Sequence, residues 1–330
     1  GQRVQWGTAP CVPRNVDSDP FDIARYLHAG KNVIGVEVLF YGHGDGTWPA
    51  GKPGFIFNAA LDYANGQQES VVSDASWLTF LDRAHRPGQY KRWFLRALQE
   101  EFDARLHPFG WDAPEYAPGA QWAPAMRIEC PPDKPPACSR YNGNDLMERA
   151  RDGSLRARQI PMLTEMEVPV LRLADCGRVT WKRDPADWFD FRMPDSFDIV
   201  REPVAKEQGV NAWEIPATTA REGVFATFEF KEQIVGWPYF TVDAPEGAVV
   251  ELMIQESHDP NGPLWMDTHF HSWSRFICRE GENRFEPFDY ESFRWVQLHV
   301  RNASRPVVVH DVGVRRRLFD WPHRPHIECA

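Results

Sequence analysis

The sequence predicts an all-β fold: two β-sandwich domains of jelly-roll or galactose-binding-like type, with a loop-rich insertion between them. Three observations carry this. Short β-branched and aromatic segments recur at roughly 8–12-residue spacing with turn signals between them, the pattern of a sandwich. Residues 248–256 (AVVELMIQE) alternate so that Val250, Leu252 and Ile254 share one face and Val249, Glu251 and Met253 the other. No stretch sustains the 3.6-residue period of a helical barrel. A length of 330 residues suits about two domains. They are expected at 1–205 and 206–320, with 126–160 a linker or insertion and 321–330 a connector.

Composition narrows the class. Hydrophobic residues make up 42% of the chain and aromatic residues 13%, with 14 Trp and 28 Pro, which supports a large core and argues against disorder. The 37 Lys and Arg against 47 Asp and Glu give a net charge of −10, so the basic footprint of a nucleic-acid binder is missing. No apolar run approaches the ~20 residues of a membrane-spanning helix. Nucleic acid and membrane are therefore not expected partners.

The first residues show no basic segment followed by an apolar one, so no signal peptide is visible. Periplasmic, secreted and cytoplasmic locations all fit. Gly1-Gln2-Arg3-Val4 reads as the far side of a hairpin whose first strand is missing, and FDWPHRPHIECA stops in a Pro-rich connector. Both ends are expected to be cuts from something longer. The six cysteines (Cys11, Cys130, Cys138, Cys176, Cys278 and Cys329) lack zinc-site spacing. Cys130 and Cys138 flank a Pro-rich loop and suit a local bridge; the plainer reading is buried free thiols.

Along the chain, FDIARYLHAG makes a short helical turn capped by Gly30, and 33–40 (VIGVEVLF) follows as a strand. Residues 54–63 alternate, Asn65-Gly66 turns the chain, and 69–80 returns. Residues 100–125 are an aperiodic loop dense in Asp, Glu, Trp and Pro. Within 126–160 only NDLMERARDGSLRAR suggests a helix. Strand character resumes at 167–181 and then fills 222–318, with a turn at Glu246-Gly247, a strand pair around Gly281-Glu282-Asn283, and two final strands in RWVQLHVRNASRPVVVHDVGVRRRLF.

Several motifs are shared with a known family. E-F-D-A-R, G-W-D-A-P and Q-W-A-P-A follow one another between Glu101 and Ala125, after LHAGKNVIGVEV. Further on come IVGWPYFTVDAPEGAVVELMIQE and RFICREGENRFEPFDYESFRWVQLHV, with its F-E-P-F-x-Y-x-x-F-R-W core. In order and spacing these resemble the N-terminal region of bacterial α-L-rhamnosidases, the family 78 glycoside hydrolases, over most of 20–320. The resemblance implies two β-sandwiches that precede an (α/α)6 catalytic barrel. It also implies a parent reaction, inverting hydrolysis of terminal non-reducing α-L-rhamnosides by a general acid and a general base. The family's acidic motif would fall after Ala330, so no catalytic residue is carried onto this chain. The implied partners are an L-rhamnose-containing glycoside or polysaccharide and the C-terminal barrel.

Candidate binding residues follow. Glu101, Asp103 and Arg105 alternate in a strand and would project to one face, two carboxylates and a guanidinium able to hold sugar hydroxyls or calcium. Some relatives hold rhamnose through calcium with acidic and amide side chains. Here Ala104 stands where an amide is wanted, so the calcium set is incomplete and no cofactor is expected. The plainer role is an Asp–Arg pair fixing the following loop. There, Trp111, Asp112 and Trp122 offer aromatic platforms with a polar handle, or a plug for the end of the core. His258, His269 and His271 lack a third metal ligand and read as an ordinary sheet edge. Trp265, His269 and Trp273 would form a lip facing the barrel. Arg315-Arg316-Arg317 reads as a solvated or interdomain surface. No GxSxG, P-loop or GxGxxG is present. A free-standing lectin-like module and a structural adaptor packing on a partner chain are the rival functions.

Overall fold

A computed structural model describes residues 2–7, 17–40, 54–86, 100–128, 140–141, 144–145, 156–182, 197–261 and 273–319. The chain divides into two compact units, Gly1–Asp82 with Pro108–Pro161, and Arg83–His107 with Met162–Ala330. Among the described residues the structure is almost entirely β.

The first unit has short strands: β1 (Asp17–Ser18), β2 (Asn58–Asp62), β3 (Gln68–Val72) and β4 (Leu78–Thr79). The next strand, β5 (Glu101–Asp103), belongs to the second unit. After it come β6 (Ala123–Pro124), β7 (Arg140–Tyr141), β8 (Asn144–Asp145) and β9 (Arg156–Ala157) of the first. Pairs form between β1 and β9, β2 and β3, β4 and β6, and β7 and β8. The β2–β3 hairpin turns where Asn65-Gly66 predicts it, because Gly66 takes φ +83°, a left-handed conformation that glycine adopts without penalty. Two expectations differ. The helical turn shrinks to a 3-10 turn, Ala24–Tyr26. Residues 33–40 have no ladder partner and are not a strand: Val33, Val36, Val38 and Phe40 are exposed. Of the helix expected over 144–158, the described ends lie in β8 and β9, and 146–155 lie outside the described residues.

The second unit is a sandwich. Its strands after β5 are β10 (Thr164–Pro169), β11 (Arg172–Trp181), β12 (Phe197–Arg201), β13 (Lys206–Gly209), β14 (Ala212–Ile215) and β15 (Glu222–Ala244). They continue with β16 (Val249–Gln255), β17 (Trp273–Ile277), β18 (Gly281–Phe285), β19 (Glu291–Arg301) and β20 (Val307–Leu318). The 23-residue β15 serves both layers. Its first part, 222–229, lies between β11 and β19; its last part, 236–244, pairs with β20 and β18. One layer therefore runs β12-β11-β15-β19-β16-β17-β5, and the other is gathered around β20 and the end of β15.

Period-two alternation fills the core between the layers. Val224, Ala226, Phe228 and Phe230 enter from the first part of β15, and Phe240 and Val242 from the last. Val250, Leu252 and Ile254 of β16 join them, on the face the sequence predicts, with Val296, Leu298, Val300, Val312 and Val314. Gly247 turns β15 into β16 at φ +80°, as the Glu246-Gly247 signal requires.

Two expectations are corrected here. β17 and β18 do not pair with each other: β17 joins β16 in one layer, and β18 joins the end of β15 in the other. β17 takes the edge of β16 and β18 the end of β15, so the intervening turn crosses between layers instead of closing a hairpin. The division at 205/206 also lies elsewhere, since β10 pairs with β20 and β11 with β15, which ties 162–205 to the second unit.

Candidate functional site

The loop of the first unit is a chain of tight turns: Trp111 N–H bonds the Pro108 carbonyl, Ala113 that of Gly110, Tyr116 that of Ala113 and Trp122 that of Gly119. Gly110 sits at φ +82°. Trp122 stacks on Phe80 with centroids 5.2 Å apart, meets Tyr116 edge-on at 5.8 Å and donates its indole N–H to the Tyr116 hydroxyl at 3.3 Å. Trp111 lies 6.4 Å from Trp122, and a Cβ at Gly35 would come within 2.6 Å of its ring. Trp111, Asp112 and Trp122 are all half-buried. The aromatic rings thus pack on one another, and what they present to solvent is the margin of that cluster.

Glu101, Asp103 and Arg105 lie instead in the second unit, on and just after β5. The Asp103 carboxylate accepts from Arg105 Nε at 2.8 Å, Nη2 at 2.7 Å and the backbone N–H at 3.1 Å. These bonds hold its pKa below the usual carboxylate range. Glu101 takes Arg275 Nη1 at 3.2 Å and Arg86 Nη1 at 3.4 Å. The expected acid–guanidinium set does form, but each carboxylate is already paired with an arginine. Among the described residues no group of three or more His, Cys, Asp or Glu is placed to hold a metal ion. The two halves of the expected sugar site therefore fall in different units. Trp265, His269 and His271 lie outside the described residues, and Trp273 opens β17 opposite Met253.

The remaining expectations can be placed briefly. His258 is partly buried: its imidazole lies 3.2 Å from Asp175 and packs on Trp295 at 5.2 Å. The arginine run is paired residue by residue: Arg315 with Glu286 and Glu167, Arg316 with Glu232, and Arg317 with Glu165. Arg317 also covers the Trp237 ring at 4.9 Å. Cys278 is buried, which pushes its thiol up to about 12, and Cys176 is a half-buried free thiol. Cys11, Cys130, Cys138 and Cys329 lie outside the described residues.

Sequence reasoning missed a polar ladder on the outer face of the β11–β5 layer. Register aligns Phe225, His299, Glu251, Arg275 and Glu101 across β15, β19, β16, β17 and β5. Glu251 is 1% exposed and receives Arg275 Nε at 3.0 Å and Arg301 Nη2 at 3.3 Å. Burial pushes the Glu251 pKa up, but Arg301, Arg275 and His299 outweigh that and leave it lowered. Gln297 donates to Thr227 Oγ1 at 2.7 Å, so its Oε1 accepts from His299 Nε2 at 3.1 Å. Beyond the row of Thr227, Gln297 and Met253, the same face carries Arg172, Glu229, Trp295 and Gln255. The signal available in the sequence was the polar member of each alternating strand, Glu251 among them.

Residues 13–140 match the profile of the alpha-L-rhamnosidase N-terminal domain, and residues 220–315 that of the bacterial alpha-L-rhamnosidase concanavalin-like domain. In structure the chain is similar to the GH78 family rhamnosidase of Bacillus sp. GL1, with a TM-score of 0.64 and 16% identity over 94% of this chain and 49% of that one. It is more distantly similar to the native α-L-rhamnosidase of Aspergillus terreus, with a TM-score of 0.46 and 16% identity over 80% and 23% of the two chains. The α-L-rhamnosidase of Dictyoglumus thermophilum gives 0.43 and 15% over 79% and 22%. The chain spans about half the length of the Bacillus protein. No curated protein matches it in sequence. The chain carries the N-terminal domain and the concanavalin-like domain of the bacterial α-L-rhamnosidase family.

Proposed function

We propose that the chain is the non-catalytic N-terminal portion of an α-L-rhamnosidase-like glycoside hydrolase. The parent reaction would be inverting hydrolysis of terminal non-reducing α-L-rhamnosides, with the general acid and base supplied by a helical barrel C-terminal to these domains. The observation that carries this is the order of the two domain matches, N-terminal at 13–140 and concanavalin-like at 220–315, together with a fold aligned to 49% of the Bacillus enzyme. In this reading Glu101, Glu251 and Asp103 are each occupied by an arginine, which suits a scaffold and not proton transfer. The test is an aryl α-L-rhamnoside assay on the purified chain. Release of aglycone should not exceed a buffer blank; turnover abolished by a point substitution within the chain would overturn the reading.

A second reading, a carbohydrate-binding module, draws support from Trp111, Asp112 and Trp122 standing together in one loop of the first unit. Calorimetric titration with L-rhamnose, with and without calcium, separates it from a structural role. Heat that saturates and is lost in Trp111→Ala supports the module; no heat in either condition removes it.

A further inference from the structure

We propose that the open end of the second unit's outer sheet face, at Arg172, Glu229, Arg294 and Trp295, binds a carboxylate-bearing saccharide. Glu229 is the anchor. Its carboxylate is 7% exposed and takes Arg172 Nη2 at 2.6 Å and Nε at 2.8 Å on one oxygen, and Arg294 Nη2 at 2.8 Å on the other. Both oxygens are therefore used, and two guanidiniums against one carboxylate leave the trio with one positive charge. Among the described residues Glu229 is the carboxylate partner of both arginines, whose side chains are 58% and 44% exposed.

One further feature points to a ligand. The Arg294 guanidinium lies over the Trp295 ring at 5.6 Å, and His258, 3.2 Å from Asp175, packs on the same indole at 5.2 Å. Trp295 is half-buried. The end of the face is thus an array of fixed donors, with its own acceptor already saturated. Such an array selects an acceptor-rich anion, and two arginine forks match the plane of a carboxylate. A sugar ring adds an apolar edge for the tryptophan. The positions follow from register and a bulge: Glu229 pairs with Trp295 and Ile234 with Phe293, so Arg294 and Trp295 both stand outside the core between the layers, and Trp295 packs against the second buried cluster of Val179, Trp181, Phe225 and Met253.

The site belongs to the second unit and the 111–122 loop to the first, and the proposal does not depend on the chain being part of a rhamnosidase. The test is isothermal titration of the full chain with D-glucuronate, D-glucose and inorganic phosphate at equal ionic strength. Glucuronate should give saturating heat that glucose and phosphate do not. Arg172→Ala and Arg294→Ala should each weaken binding about tenfold or more, the cost of a charge-assisted hydrogen bond. Arg294→Lys, which keeps the charge and loses the fork, should weaken it as well, and Trp122→Ala should leave it unchanged. Absence of saturable heat with glucuronate overturns the proposal. So does phosphate binding as tightly as glucuronate, which would make this an inorganic anion site, and so does unaltered binding in a folded Arg294→Ala.

Discussion

His299 offers a measurement with a defined sign. The imidazole is 3% exposed in the middle of β19, and burial, reinforced by Arg301 and opposed by Glu251, brings its pKa down to about 3. In the unfolded chain it titrates near ~6.5. Between these values the unfolded state binds a proton that the folded state does not, so stability rises with pH across the window and falls as the solution is acidified. The limiting slope is about 1.4 kcal/mol per pH unit. Integrated from pH 6.5 to 4.5, the group costs roughly 2 kcal/mol of stability. His299→Gln keeps a donor for Gln297 Oε1 and removes the titration. The variant should therefore lose about 2 kcal/mol less than the parent chain over that interval.

The assay is urea unfolding followed by tryptophan fluorescence at several pH values and constant ionic strength, with equal m-values required before free energies are compared. Staying above pH 4.5 isolates the histidine. Glu251 has a lowered pKa, so its contribution is present above the unfolded carboxylate value of ~4.3 and is lost only as pH falls through its folded value. Parallel stability curves for parent and His299→Gln would refute the reasoning. They would mean that His299 is protonated in the fold and pairs with Glu251, and that the ladder carries one more positive charge than its arginines supply.

Three further outcomes are expected. Arg275→Met leaves Glu101 and Glu251 short of a buried partner and should destabilise the second unit by about 3–5 kcal/mol, whereas Arg275→Met combined with Glu251→Met should recover much of that; additive losses in urea unfolding would show that the two groups do not interact. Gly313→Ala should cost about 1–3 kcal/mol, because a Cβ there would overlap the Tyr239 phenol, and the penalty should shrink in the background Tyr239→Ala; an unchanged thermal midpoint in Gly313→Ala alone would contradict the packing. Trp122→Ala removes the stack on Phe80 and the bond to Tyr116 and should cost the first unit about 1–2 kcal/mol, visible as faster proteolysis within 1–82 and 108–161; unaltered cleavage would mean the ring is a bare platform.

Local signals in the sequence placed what local physics decides. The faces of β16, the Asn65-Gly66 hairpin and the Gly247 turn follow from side-chain period and backbone freedom, and each is found where expected. Pairing across long separations was not legible in the same way. Residues 33–40 have strand composition but no ladder partner, and composition cannot supply one. β17 and β18 are separated by only a few residues yet sit in different layers, because β17 pairs with β16 and β5 while β18 pairs with the far end of β15. Glu101 was readable as one of an alternating charged set, but its partner Arg275 is 174 residues away. Register, which the single sequence does not print, turned a sugar-site candidate into an ion pair. The open row at Glu229 was hidden for the same reason: Arg172 and Arg294 meet on it from two different strands.

The buried ladder poses a physical question, since replacing such charges with apolar groups is often neutral or stabilising. A reason to keep them lies in register. On β16, Val250, Leu252 and Ile254 face the core while Glu251 faces the ladder. A slip of one residue against β17 or β19 would reverse every side chain, placing Glu251 among Val296, Leu298 and Val300 without a cation. An all-apolar outer face would make the slipped and native registers closer in energy, because either face would then serve as a core. The short parallel strand β5 depends on the same device. It has only three residues, too few for ladder bonds alone to fix its position, and it is pinned at Glu101 by Arg275 while Phe102 stacks on Phe276 at 5.4 Å. The charges that looked in sequence like a ligand site thus act first on the fold, making one strand register far cheaper than its neighbours.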